Sequence, residues 1–213
     1  LKVLMGLTVS GILFYSAILI LREFSEDFKV IILPNSPLSY IMSFFIICVV
    51  IGSFLGFEAI VRYHAIIIPV IAIGFIIIML ITIPLMDLTN ILPLLGNGPS
   101  DILRNGLLRT MVFGELLVLF LLPPFLGSYK NVRSAGYAAI VFSSVFFIIA
   151  SLGYILTFPY PSNLEAFLPI YQLARLINLG RFFQRIEALF VFIWAMAAFV
   201  YLSAMFYLMV YTF

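Results

Sequence analysis

Glu115 is the acid that stands deep inside an otherwise apolar run, preceded directly by Phe113 and Gly114. A carboxylate near the centre of a membrane helix costs about 2.5–3.5 kcal/mol on insertion scales, so it is met facing a polar cavity, an ion or a partner side chain. Gly114 has low helix propensity. A helix that opens at Phe113-Gly114-Glu115 frees backbone N–H and C=O groups in mid-membrane, and such half-helix ends hold charged groups of small substrates with their dipoles aimed at the ligand. The chemistry in view is therefore binding, of an ion or of the charged end of a small molecule. The competing reading is a structural acid satisfied by a neighbouring helix. Tyr15 and Ser10, on the first apolar run, are candidates to line the same cavity. With 23 Phe and 11 Tyr in the chain, packing is the simpler account of any single aromatic residue.

Other chemistry finds little support. The single histidine, His64, excludes a histidine metal cluster within the chain, and its place at a span boundary suits an interfacial structural role better than a proton relay. The single cysteine, Cys48, excludes an internal disulfide and reads as a buried thiol in an apolar run. No phosphate-binding loop, dinucleotide fingerprint, serine elbow or zinc-protease helix occurs, so the sequence predicts no enzyme and calls for no cofactor or metal. The net charge of +2 is spread along the chain with no basic face, which excludes nucleic acid as a partner.

The elements that must hold Glu115 follow from hydropathy. Hydrophobic residues make up 65% of the chain and charged residues 9%, against about 25% charged in ordinary soluble domains. Lipid is the solvent this composition requires. Six runs are free enough of charge to cross or nearly cross about 30 Å of hydrocarbon, which takes about 20 helical residues. They predict spans at 3–21, 38–57, 65–86, 110–126, 137–158 and 188–213 of a single transmembrane domain covering 1–213. The fourth, which bears Glu115, is short and is interrupted by Pro123 and Pro124, so it is the least expected to be a continuous helix.

Between the spans, Arg22, Glu23, Glu26, Asp27 and Lys29 mark an interface, and Glu58 and Arg62 stand at pairing distance on one helix face. Gly52 and Gly56 form a G-x-x-x-G pair that predicts close helix contact. Ser100 is placed to cap a short helix from Asp101, and a short loop is expected to carry Lys130 and Arg133. Residues 169–179 predict an interfacial helix with Ile170, Leu173, Ala174 and Ile177 on one face, started by Pro169 and stopped by Gly180. The run from Arg175 to Glu187 also suits a helix at headgroup level. Basic residues concentrated in short loops (Lys2, Arg62, Lys130, Arg133) assign those loops to the cytoplasm. The chain begins on Leu1 within an apolar run and ends on Phe213 within another, so both ends read as cut and the sequence as a fragment.

The order of these features resembles the spore germination permease family, the multi-spanning B subunits of nutrient germinant receptors in endospore-forming bacteria. The resemblance rests on Leu21-Arg22-Glu23-Phe24, Leu92-Pro93-Leu94-Leu95 with Gly98, Phe113-Gly114-Glu115, Leu173-Ala174-Arg175, Gly180, Arg185-Ile186-Glu187-Ala188 and Trp194, which together span the chain. That family is similar to transporters of the amino acid-polyamine-organocation superfamily. The resemblance implies an all-α polytopic fold whose six spans are helices three to eight of a ten-helix, five-plus-five inverted repeat of the LeuT-like kind, truncated at both ends. It implies that the fourth span is half of the substrate site, with Phe113, Gly114 and Glu115 as ligand-binding residues and Tyr15 as a lining residue. It implies a small germinant, an amino acid, as ligand, and a large membrane subunit and a lipoprotein as partners in the spore inner membrane. An amino-acid permease coupled to protons or cations is the alternative.

Overall fold

A computed structural model describes residues 2–94, 96, 98–162, 168–177 and 186–212, and of residues 2, 3, 5, 111–115 and 186 the backbone alone. No strand occurs among the described residues. The elements are α1 (Lys2–Ile31), α2 (Leu38–Phe54), α3 (Phe57–Thr82), α4 (Pro99–Arg109), α5 (Pro123–Leu126), α6 (Tyr129–Thr157), α7 (Pro169–Leu176) and α8 (Ile186–Thr212). Connections among them include 3₁₀ segments at Ile83–Leu85, Leu88–Ile91 and Thr110–Leu121. Among the described residues, four stretches are long and apolar enough to cross a bilayer, Gly6–Ile31, Phe57–Leu85, Tyr129–Thr157 and Glu187–Thr212, while Leu38–Phe54 is apolar but shorter.

The chain forms two units, Leu1–Phe75 with Ala188–Phe213, and Ile76–Glu187. In the first, α1 does not stop at the charged segment after Leu21 but runs on to Ile31, because nothing between Arg22 and Lys29 breaks a helix. Thirty residues rise about 45 Å, so the charged end extends beyond what a bilayer's hydrocarbon requires. Arg22 and Glu26 pair on that end at 2.9 Å. Its opposite face carries Phe24, 3% exposed, which meets Phe45 of α2 edge-on at 4.8 Å between ring centroids and Trp194 of α8 at 4.3 Å. Ile41, with Leu21, Phe28 and Leu33 at the margin, completes this aromatic core.

Only the first member of the G-x-x-x-G pair makes a close approach. A Cβ on Gly52 would lie 2.8 Å from Ser203 Oγ and 3.0 Å from Phe199 Cζ, so α2 and α8 touch there with no room for a side chain. Gly56 instead makes the turn between α2 and α3. Its φ of +85° is a conformation that L side chains rarely adopt, its N–H donates to Ser53 O and its carbonyl accepts from Ile60 N. Because that turn closes at Gly56, α3 begins at Phe57 and the Glu58–Arg62 ion pair, at 2.6 Å, forms on one face of its first turns as the spacing predicts. Both side chains of that pair are mostly in solvent, so it adds little stability. Pro69 lies within α3, which continues past it.

In the second unit, the α-helical winding of α3 ends at Thr82 because Pro84 has no N–H to continue it, and the chain tightens into Ile83–Leu85. The α4 helix corrects the capping expectation. Gly98, at φ +121°, is the residue at its N-cap and Pro99 occupies the first turn, so Ser100 falls inside the helix and caps nothing. Proline's fixed φ suits the first helical position, and that preference moves the start two residues upstream. On the other side, α6 begins at Tyr129, where Ser128 accepts from Lys130 N at 3.2 Å, so Lys130 and Arg133 are helical residues and not a loop. The guanidinium of Arg133 stacks over the Tyr137 ring at 5.5 Å, one turn on.

The helix α7 is shorter than the expected 169–179. Leu173 and Ala174 are fully buried and Ile177, which ends the helix, is 2% exposed. Its apolar face thus packs on protein, against α6. Gly180, Arg181 and Arg185 lie outside the described residues.

Candidate functional site

The segment that bears Glu115 is helical but not α-helical. Following α4 without a gap, twelve residues from Thr110 to Leu121 are wound as a 3₁₀ helix, and a new helical turn starts at Pro123. The expected opening at Phe113-Gly114-Glu115 is not a break: these residues lie inside the 3₁₀ run that begins at Thr110, and the i→i+3 bonds keep the backbone groups paired. Runs of this length are uncommon, since the tighter helix has poorer hydrogen-bond geometry, and a long stretch within a helix often marks a hinge or a strained sequence.

Winding also sets how far so short a run reaches. At about 2.0 Å per residue, twelve 3₁₀ residues reach about 24 Å, and the residues through Leu126 bring the total to about 31 Å. The same residues as an α-helix reach about 25 Å, short of the hydrocarbon thickness.

Residues three apart fall in register along a 3₁₀ helix. Phe113, Leu116 and Leu119 therefore form one row, and Leu119 packs so closely on α6 that a Cβ on Gly136 would lie 2.9 Å from its Cδ1. Gly114 shares its row with Leu117 and Phe120, which are 48% and 80% exposed. Glu115 shares its row with Val118 and Leu121, both half-buried. The side chains of Phe113 and Glu115 lie outside the described residues.

Tyr15 sits on α1 in the other unit, with its side chain 65% exposed. Ser10 is 8% exposed and its hydroxyl donates to Met209 O at 3.4 Å, which ties α1 to α8 and removes it from the set of free lining groups. His64 faces the Ile60 carbonyl of its own helix at 3.0 Å, in keeping with a structural role.

Sequence reading missed a polar joint at the far end of α6. Asp87 N donates to the Leu156 carbonyl at 2.8 Å and Asn90 Nδ2 to the same oxygen at 2.9 Å, which fastens the 3₁₀ turn Leu88–Ile91 to α6. The Asp87 carboxylate accepts from Thr89 Oγ1 at 2.7 Å and Thr89 N at 2.9 Å, and these bonds hold it below the ordinary carboxylate range. Two residues back on α6, the Tyr154 hydroxyl donates to Gln172 Oε1 of α7 at 3.0 Å. Gly153 beside it leaves no space for a Cβ, which would stand 2.8 Å from Met79 Sδ. The Asp-x-Thr spacing at 87–89 is a side-chain turn signal that could have marked the joint; the bonds to a carbonyl 66 residues away have no such signature.

Tyr154→Phe removes one hydroxyl and should lower stability by about 0.5–1.5 kcal/mol, with the larger loss if Gln172 stays dry. Thermal unfolding in detergent checks this, and Gln172→Leu added to Tyr154→Phe should then cost less than the two single changes summed.

Long apolar helices with charged residues gathered toward their ends and in the connections define a multi-pass α-helical membrane protein. The chain belongs to the spore germination protein family, whose sequence pattern matches residues 1–213. No curated protein and no solved structure matches it.

Proposed function

We propose that this chain is part of the membrane subunit of a spore nutrient germinant receptor, which binds a small germinant, an amino acid, and passes its occupancy on to partner subunits. The observation that carries the reading is Glu115 within a 3₁₀-wound apolar run of a spore germination protein. An acid at that depth is costly unless it serves a ligand, an ion or a partner, and 3₁₀ winding within a helix marks a place where the chain is built to change. In this reading the six apolar runs are helices three to eight of a ten-helix LeuT-like inverted repeat. Phe113, Gly114 and Glu115 are its germinant-binding residues, and Tyr15 is carried as a lining residue by the family resemblance alone. The receptor resides in the spore inner membrane with a large membrane subunit and a lipoprotein, performs no catalytic step and holds no cofactor. Germinant binding that opens an ion path through this subunit is compatible with the same site.

The carboxylate at 115 equally suits a proton- or cation-coupled amino-acid permease, with Glu115 as the coupling group. Uptake of labelled amino acids into proteoliposomes of the full-length protein separates the two. Sustained accumulation driven by an ion gradient would favour the permease and sink the pure receptor.

The site itself is tested by Glu115→Gln in the full-length protein. The germinant concentration for half-maximal germination should rise about tenfold or more, the equivalent of about 1.4 kcal/mol of binding, with unchanged amounts of protein in the membrane. A variant with the unaltered concentration dependence defeats the assignment.

A further inference from the structure

Lys130 and Arg133 stand exposed on the first turns of α6, and no carboxylate among the described residues lies within ion-pair distance of either. Two cations at a helix N-terminus oppose the helix dipole, so the helix itself gives no reason for them. The backbone donors of that turn are engaged, Lys130 N with Ser128 Oγ, and Asn131 N and Val132 N with the Ser128 carbonyl. The guanidinium of Arg133 lies over the Tyr137 ring and meets one acceptor, the Tyr137 hydroxyl, at 3.4 Å, which leaves most of its N–H groups for something else.

Depth indicates what that is. The helix α6 is one of the stretches long and apolar enough to cross a bilayer. Near its far end the Leu156 carbonyl accepts from Asp87 N and Asn90 Nδ2, and Asp87 carries an exposed carboxylate, so Leu156 stands at the water side of one leaflet. The helix from Leu156 back to Tyr137 rises about 29 Å, against about 30 Å of hydrocarbon. Tyr137 therefore falls at the opposite boundary, the depth that membrane tyrosines favour. Arg133 lies about 6 Å beyond it and Lys130 about 11 Å, where long cationic side chains reach the headgroup layer.

The two cations are neighbours across one turn, spaced to straddle a single phosphate. At 100° per residue, Lys130, Tyr137, Val141 and Ile148 share an arc of about 40°, with Arg133 about 40° to one side. Tyr137, Val141 and Ile148 are 58%, 62% and 58% exposed, so an apolar stripe runs into the membrane directly beneath the cations. The Gly136 side of α6, which packs on Leu119, is turned about 100° away from Tyr137.

We propose that the start of α6 binds an anionic phospholipid, with Lys130 and Arg133 on its phosphate and an acyl chain along Tyr137, Val141 and Ile148. The proposal goes beyond the germinant reading and needs only α6 as a span. Basic residues at this depth attract anionic lipid. Because Asn131 Nδ2 donates to Leu126 O at 3.1 Å, the lipid is held beside the turn through which the Thr110–Leu121 segment joins α6.

The test uses the full-length protein in nanodiscs of equal phosphatidylglycerol and phosphatidylcholine. The photoreactive residue benzoylphenylalanine replaces Val141 or, on the same face of α6 but near its other end, Leu152, and lipids coupled by ultraviolet light are identified by mass spectrometry. Phosphatidylglycerol should exceed phosphatidylcholine at 141 by about fivefold per cation, and the two should be nearly equal at 152. Lys130→Gln with Arg133→Gln should bring the ratio at 141 down to that at 152, whereas Lys130→Arg with Arg133→Lys should keep it high. A wild-type ratio at 141 equal to that at 152 overturns the proposal, as does coupling at 141 to protein in place of lipid. An enrichment that survives the loss of both cations overturns the assignment of the headgroup to Lys130 and Arg133.

Discussion

Phe24→Ala should cost about 3–5 kcal/mol and leave little folded protein after extraction in mild detergent. Phe24 sits between two aromatic partners from two other helices, Phe45 of α2 and Trp194 of α8, and Phe28 stands one turn along its own helix at 5.9 Å. Truncation removes the ring that all three touch and opens a void whose walls belong to three different helices, so no single side chain can rotate to refill it. Ring pairs in such edge and tilted arrangements contribute about 0.5–1.5 kcal/mol each beyond the area they bury. Phe24→Leu keeps most of the volume and loses the ring geometry, so it should fall between the wild type and the alanine variant. Thermal loss of the monodisperse size-exclusion peak is the measurement. A Phe24→Ala protein as stable as wild type would show that the three helices do not meet at this ring.

Gly52→Leu should be about as damaging, by overpacking rather than by a void. A first side-chain carbon already collides with Ser203 Oγ at 2.8 Å and Phe199 Cζ at 3.0 Å, and a leucine adds three more carbons where α2 and α8 touch. Inserted methylenes typically cost about 1–3 kcal/mol and more where backbones must separate. Gly52→Ala isolates the first collision. The Ser203 hydroxyl donates to Phe199 O of its own helix at 2.8 Å, so its oxygen is held in place and cannot swing away. Ser203→Ala in the Gly52→Ala background removes that oxygen and should recover part of the loss, while Ser203→Ala alone should be nearly neutral. Additive effects of the two changes would place the helices farther apart than 2.8 Å implies.

Hydropathy read the apolar content of the chain well and the ends of its helices poorly, for one physical reason. A run without charge marks where lipid begins and ends, whereas a helix ends where its hydrogen bonds stop. Arg22 to Lys29 continue α1, Glu58 and Arg62 ride on α3, and Lys130 and Arg133 open α6. In each case the charges stand on a helix already under way, since Arg, Lys and Glu are good helix formers. Gly56 and Gly98 show the complementary error. Spacing made one a contact glycine and gave the cap to Ser100, yet both glycines have the positive φ that ends or starts a helix. At the candidate site, the sequence exposes the costly acid and the weak glycine but is silent on winding, because α and 3₁₀ helices draw on the same side chains. The polar joint of Asp87, Asn90 and Leu156 was hidden because its acceptor is a backbone carbonyl, present at every position.

The winding at Thr110–Leu121 makes angle, and not only reach, a variable of the chain. A 3₁₀ helix turns about 120° per residue and an α-helix about 100°. Over the six steps from Glu115 to Leu121, rewinding to α would rotate the carboxylate's attachment point by about 120° about the helix axis, a third of a revolution, with Leu121 held still. All twelve residues together would shorten by about 6 Å. One interconversion of hydrogen-bond partners, from i+3 to i+4, would thus turn Glu115 from one sector around its helix to another while pulling on whatever holds the two ends.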